Sequence, residues 1–413
     1  MSAGNANRVG RELDQEAGAS RLGTNDHDGI YGEGSLARVL KIEGATGNYR
    51  AEMPITAETR VFRIVRSPGL SGLSRRHSFG AVDTSDESCY KRAGVMAKEQ
   101  DMRAFAVRSF GEAPAIHDLP IPAADGAFLI RVKCAGVNPI DYKLVERLTA
   151  ASTYPFVLGA DFAGVVERVP AGELDFRTGD RIFGMARTHG AYAEYTAVAP
   201  GVKTEPLARI PDGVTDEQAA ALPIAAITAL RALDMLGVAS GQRVVVMGAT
   251  GGVGGYAVQM ARSRGAHVIA TVRGDADEAR RLGAEEVYDT KAGDAVSALH
   301  AAHPEGVDAV VDLVNGAEAI RRDAEILKPG GRLVSTIFAV DEKWFAERKI
   351  AAQNLVGNSN PLSSPQGLNE VARMLADGII TARIRSTVEL DGVAQVLEKL
   401  RNGGLGGKAV IRL

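Results

Sequence analysis

Cysteine is nearly absent: Cys89 and Cys134 are the only two in 413 residues. That excludes a disulfide framework and a structural zinc site built from cysteines, and it suits a reducing compartment. Apolar runs of membrane-spanning length, about 20 residues, are also lacking, and the N-terminus shows no basic-then-apolar signal layout. Nor does one charge dominate: 48 Lys and Arg against 51 Asp and Glu leave a net charge of -3. Nothing in that balance draws the chain to nucleic acid or to an anionic membrane. The expectation is a cytoplasmic protein with a small-molecule partner, no nucleic acid and no membrane. Internal repeats and low-complexity tracts are missing as well. What is present is apolar matter, 45% of residues, in a chain long enough for roughly two or three domains.

The chain changes character near residue 95. Residues 1–95 mix Gly, Ser, Arg, Asp and Glu without sustained periodicity, as in "RLGTNDHDGIYGEG", and read as having little packed structure. Acids run from Glu12 to Glu87, which argues against a transit peptide. Met96 and Met102 directly precede the strand-like "RAFAVRSF", so the segment reads either as a disordered extension or as an overlong start. Residues 102–225 then carry short strand patterns separated by Gly and Asp turns. Over 226–380 the runs "QRVVVMG", "AHVIATV", "EEVYD", "VDAVVDLV", "GRLVSTI" and "NLVGN" alternate with helix-length segments, which predicts a parallel sheet with helices on both faces. Residues 381–413 return to strand patterning and are expected to rejoin the β-rich part.

Between two of those runs lies "GATGGVG". Gly248, Ala249, Thr250, Gly251, Gly252, Val253 and Gly254 sit between a buried-strand run and the helical "GGYAVQMARSRG". Small residues there let backbone approach a pyrophosphate, and the following helix aims N–H groups and partial positive charge at it. The cluster therefore predicts a dinucleotide site. A free ribose 2'-hydroxyl usually meets Asp or Glu at the end of the next strand, whereas a 2'-phosphate needs a cation. That position reads "ATVRGDAD", with Thr271 and Arg273, and favours NADPH; Asp275 close behind weighs the other way.

In order, "GVNPIDYKL", "YPFVLGADFAGVV", "GDRIFG", "GAYAEY", "LPIAAITAL", "GATGGVG", "LKPGGRLV" and "GGKAVI" resemble the medium-chain dehydrogenase/reductase superfamily over 102–413. The resemblance implies an α/β molecule with a GroES-like β-rich catalytic domain, a Rossmann doubly wound parallel-sheet domain, and a cleft between them. Zinc alcohol dehydrogenases of that superfamily carry Cys at the position of Asn138, and His then Glu at those of Ala160 and Asp161. Those ligands are missing, so no metal site is expected. His300 and His303 lack a third ligand and read as surface residues; Cys134 reads as a small core residue.

"NPIDYKL" is similar to the zinc-independent quinone oxidoreductases and the alkenal and enone reductases. A conjugated carbonyl accepts hydride at its β-carbon if donors stabilise the developing enolate. Asn138 offers amide N–H groups, Lys143 a cation, Tyr142 or Tyr154 a hydroxyl, and Asp141 an acceptor to orient the loop or the ribose. By resemblance, Thr228, Asn315, Thr336 and Ile337 lie near the nicotinamide. Gly407 and Lys408 match the family's closing turn, read as mainly structural. The leading expectation is NADPH-dependent reduction of a quinone, enal or enone by a homodimer. An enoyl-thioester reductase and a non-catalytic NADPH-binding sensor are the alternatives.

Overall fold

The computed structural model describes residues 100–413 apart from 174, 189, 200, 202–204 and 356–363, together with the backbone of three strands nearer the N-terminus. These strands, β1 (Ala37–Gly44), β2 (Gly47–Pro54) and β3 (Arg63–Arg66), pair antiparallel in that order within a unit spanning Met1–Ala97. The segments "ARVLKIEG" and "GNYRAEMP" do alternate apolar and polar residues in part, a strand signal that the reading of 1–95 as lacking sustained periodicity misses. The remainder of 1–95 lies outside the described residues.

A second unit spans Lys98–Leu413. Its first part is a set of short strands: β4 (Asp101–Val107), β5 (Ala115–Pro120), β6 (Phe128–Val137), β7 (Phe156–Val157), β8 (Asp161–Arg168), β9 (Arg181–Met185), β10 (Tyr195–Val198) and β11 (Leu207–Arg209). Along β6, Phe128, Ile130 and Val132 alternate inward and pack against Phe162, Val166, Ile182 and Tyr192. Burying each such side chain contributes about 1.5–3 kcal/mol. Where β6 ends, Asn138 is followed by Pro139 at the first position of helix α1 (Pro139–Val145). Proline is favoured there because that N–H has no intrahelical partner in any case. Helix α2 (Asp216–Ala220) is capped by Thr215, whose hydroxyl accepts from the Gln218 N–H.

From helix α3 (Pro223–Leu236) the pattern changes to strand–helix alternation. Strands β12 (Arg243–Met247), β13 (His267–Val272), β14 (Glu286–Asp289), β15 (Val307–Asp312), β16 (Leu327–Ser335) and β17 (Ala351–Asn354) form one parallel sheet in the order β14-β13-β12-β15-β16-β17. Val244, Val246, Val268 and Ala270 turn to one face, against α3, α4 (Gly254–Ser263) and a later helix, Pro365–Ala376. Val245, Met247 and Ile269 turn to the other, against Leu299, Ile320 and Phe345. Both faces are buried, so the strands read as continuous apolar runs rather than alternating ones. The last sheet strand is offset from its sequence expectation: β17 ends at Asn354, where the run "NLVGN" begins.

The final segment supplies β18 (Ile384–Glu389) and β19 (Lys408–Arg412), and β19 pairs antiparallel with β6. The β-rich sheet therefore runs β11-β9-β8-β6-β19-β18, with β10 also on β6. The molecule is α/β, a GroES-like β-rich part joined to a doubly wound parallel sheet of Rossmann type.

Candidate active site

Three neighbouring strands of the β-rich sheet bring distant residues together. Ala409 of β19 lies opposite Val137 of β6, and Gly136 of β6 lies opposite Asp161 of β8. Lys408, Asn138 and Asp161 are thus side by side at the same end of three interior strands. The Lys408 ammonium donates to Asn138 Oδ1 at 2.7 Å and to the Val137 carbonyl at 2.9 Å, and it lies 4.0 Å from Asp161 Oδ2. The amide of Asn138 donates in turn to Asp161 Oδ2 at 2.8 Å. The Asn138 N–H and the Tyr192 hydroxyl both donate to Asp141 Oδ2, at 2.7 and 2.6 Å. The Ile224 N–H, at the start of α3, donates to the Asp161 carboxylate at 3.2 Å, so that acid also meets the positive end of a helix.

All five side chains are buried. Burial disfavours charge on each acid and pushes the carboxyls up, Asp141 to about 7 and Asp161 to about 6, the latter held back chiefly by Lys408. Burial likewise lowers Lys408 and raises Tyr192, whose neighbour Asp141 adds to the effect. An unsatisfied buried acceptor remains at Asp141 Oδ1.

The glycine cluster faces this network from the other part. Gly248 has φ 80°, and a Cβ on it would meet Val314 Cγ1 at 2.6 Å. A Cβ on Gly254 would lie 2.2 Å from the Gly248 carbonyl oxygen, and one on Gly252 would lie 3.1 Å from Lys408 Cδ. Gly248 and Ala249 donate to the Thr271 carbonyl, which fastens the loop to the end of β13. The loop stands where the strand order reverses, beside β12 and outside its carboxyl end, which is the place a doubly wound sheet offers a dinucleotide. At the ends of β15 and β16, Asp312 accepts from the Asn315 N–H at 3.0 Å through its carboxylate and from the Thr336 N–H at 3.0 Å through its carbonyl.

Residues 124–212 match the alcohol dehydrogenase GroES-like domain, and residues 252–375 match the zinc-binding dehydrogenase family. A quinone oxidoreductase of Rattus norvegicus is 30% identical over 329 residues, which span 76% of this chain and 98% of that protein. The chain belongs to the medium-chain dehydrogenase/reductase superfamily, in its quinone oxidoreductase-like branch. A trans-enoyl reductase of Aspergillus flavipes is also 30% identical, over 69% of this chain and 91% of the relative. The solved quinone oxidoreductase of Coxiella burnetii superposes with a TM-score of 0.66 at 27% identity, covering 76% of this chain and 99% of that one. Membership makes the protein an oxidoreductase with a nicotinamide cofactor, and the glycine loop, free of side chains where backbone must come close, fits that group.

The zinc implied by the name of one matching family does not fit. At the metal-ligand positions of zinc members stand an amide, a methyl group and a carboxylate, and Asn138 Oδ1 already accepts from an ammonium. A divalent ion would have to displace Lys408, the cation resident in the cluster. Among the described residues, no group of three or more His, Cys, Asp or Glu is arranged to hold a metal ion.

Several sequence-derived roles change in this superfamily member. Asn138 does not present its amide as a free donor, because both ends of that amide are engaged inside the network. Asp141 orients the start of α1 by accepting from the Asn138 N–H. Tyr154 donates to the Thr149 carbonyl at 2.9 Å, and the Tyr142 ring lies under Arg401. Lys143 is half-buried on α1 without a hydrogen-bond partner among the described residues. Thr271 is buried, and its hydroxyl accepts from the Gly248 N–H and donates to Met247 Sδ, which braces the loop against the end of β13. Arg273 is exposed at the same strand end. The Asn315 amide donates to Asp323 at 2.7 Å. Ile337 is exposed, and Thr228 is half-buried one helical turn beyond Ile224. His303 is buried and paired with Glu286 at 3.0 Å, not a surface residue. The Cys134 thiol is pushed up to about 12, mainly by burial, as befits a core residue. Tyr192 and Arg383 carry no sequence-derived role, and Lys408, expected as part of a mainly structural closing turn, is the cation of the buried network. The available signal was a cation inside the apolar run "GGKAVIRL", which is costly to bury without partners.

Proposed function

We propose that this protein is an NADPH-dependent, zinc-independent oxidoreductase that reduces quinones or α,β-unsaturated carbonyls. The observation that carries the reading is the Lys408–Asn138–Asp161 cluster, whose groups satisfy one another at the positions where zinc members gather ligands. A carbonyl in such a site is polarised by hydrogen-bond donors alone, which suits a substrate already activated by conjugation. A bound nicotinamide supplies hydride to the electron-poor carbon. Lys143 and the Tyr142 hydroxyl, both without hydrogen-bond partners among the described residues, are the donors for the oxygen on which negative charge develops. Asn138 and Asp141 act behind them by fixing the start of α1. The exposed guanidinium of Arg273 supports NADPH over NADH. The partner is a small electrophile, the compartment the cytoplasm, and the assembly a homodimer.

Similarity to a trans-enoyl reductase favours a second reading, saturation of an enoyl thioester. An NADPH-consumption screen over quinones, enals, enones and enoyl thioesters, with product analysis and with chelator, separates the two. The expected outcome is turnover of the small electrophiles, unaffected by chelation, with kcat reduced about tenfold to a thousandfold in Lys143→Ala. Turnover confined to thioesters favours the second reading. Loss of activity on chelation overturns zinc independence, and no turnover on any class leaves a nicotinamide-binding sensor.

A further inference from the structure

The end of β13 carries an arrangement that bears on which nicotinamide cofactor fits. Gly274 and Asp275 adopt consecutive left-handed conformations, φ 81° and 66°. For a non-glycine residue this is uncommon, although Asp tolerates it better than most. The turn sets the Asp275 carboxylate against two arginines of the returning segment: Arg383 Nη2 and Arg385 Nη2 each lie 2.6 Å from Asp275 Oδ2.

The two arginines differ in what else they hold. Arg383 is a fixed strut with a side chain only 10% exposed; it donates to the Thr250 carbonyl of the glycine loop at 2.5 Å and to the Gly406 carbonyl, and pairs through Nε with Glu278 at 2.6 Å. Arg385 is 42% exposed, and Asp275 is its one acceptor among the described residues. Exposed Arg273 lies two residues before Asp275. Lys291 Nζ comes within 3.2 Å of the point where a Cβ on Gly274 would stand.

An acid at this strand end ordinarily accepts from ribose hydroxyls and repels a phosphate. Here the acid is already committed to two guanidinium groups, and the other acids near the turn are engaged as well, Asp289 by the Gly274 and Lys291 N–H groups and Glu278 by Arg281 and Arg383. We propose that Arg385, together with Arg273, forms the subsite for the 2'-phosphate of NADPH, and that Asp275 is an internal anion that occupies Arg385 until the phosphate takes it over. This rests on the NADPH reading above. A phosphate monoester carries about -1.5 to -2 charges at neutral pH and three strong acceptor oxygens, so it competes well with one carboxylate for a half-exposed arginine. Arg383, held by backbone carbonyls and a second acid, keeps Asp275 partnered after the exchange, so no bare carboxylate is left facing the phosphate.

The test is a titration of the full-length protein with NADPH and NADH by nicotinamide fluorescence, with adenosine 2',5'-bisphosphate and 5'-AMP as competitors. Wild type, Arg385→Ala, Arg385→Lys and Asp275→Asn are compared, with thermal unfolding as the control for folding. The expected result is an NADPH Kd raised about tenfold to a hundredfold in Arg385→Ala, with little change for NADH. Arg385→Lys should recover part of that loss, and Asp275→Asn should tighten NADPH and the bisphosphate severalfold. If wild type prefers NADPH while Arg385→Ala weakens both cofactors equally, or neither, the subsite is overturned and the NADPH reading stands. If wild type prefers NADH and Asp275→Asn weakens it, Asp275 is a ribose ligand and the NADPH reading itself falls.

Discussion

Lys408 shows how much one side chain can hold in place. Its ammonium fixes the Asn138 amide, whose other end donates to Asp161, and Asp161 is wholly inaccessible to solvent. Replacing the lysine with an apolar residue of similar length leaves that carboxylate without its cation and Asn138 Oδ1 without a donor. Removing one member of a buried pair usually costs about 3–5 kcal/mol, because the uncompensated partner stays buried. Lys408→Met is therefore expected to lower unfolding free energy by about that amount in urea denaturation, and less at mildly acidic pH, where Asp161 takes up a proton. A loss below about 1 kcal/mol at neutral pH would show that the network contributes little to the fold.

At the level of elements, the contact that matters most is between the first strand of the parallel sheet and the helix after it. Helix α4 starts so close to β12 that a Cβ on Gly254 would fall 2.2 Å from the Gly248 carbonyl oxygen and 2.8 Å from Ala249 Cα. Both are backbone atoms, so no rotamer change makes room and the helix itself must move. Gly254→Ala should cost about 1–3 kcal/mol as an overpacked contact. It should also displace the loop that meets the pyrophosphate, so cofactor affinity falls for NADPH and NADH alike. Titration of both cofactors checks this, and an unchanged affinity would mean that the loop is not the phosphate cradle. Gly255, one residue on, serves as the comparison: a Cβ there meets only Leu282 Cδ1, at 3.6 Å.

For the molecule as a whole, the division falls between Ala97 and Lys98. The β-rich part and the parallel sheet both belong to the second unit, whose closing strand β19 lies between β6 and β18. Every side chain in the buried network comes from that unit. A chain beginning at Met96 should therefore fold, melt cooperatively and turn over substrate as the full chain does. Circular dichroism and the NADPH assay measure this, and an insoluble or inactive product would mean that residues 1–95 complete the fold.

The sequence by itself determined the α/β class, the place of the glycine loop and the superfamily, because those depend on local patterns: apolar runs of strand length, turn residues, and small residues where β12 passes into α4. It also marked the segment from Asn138 to Lys143 as carrying polar chemistry. Only the tertiary structure decided what those groups do. Asn138, Asp161 and Lys408 are far apart in the chain and become neighbours through the register of three adjacent strands, so no local pattern reveals that the amide is engaged at both ends. The same holds at the end of β13, where the sequence sets Arg273 and Asp275 two residues apart with opposite bearing on the cofactor, and only the fold brings two arginines from more than a hundred residues away onto the Asp275 carboxylate. A side chain's charge is written in the sequence, but its partners are set by packing, and the partners decide whether that charge is available to a ligand.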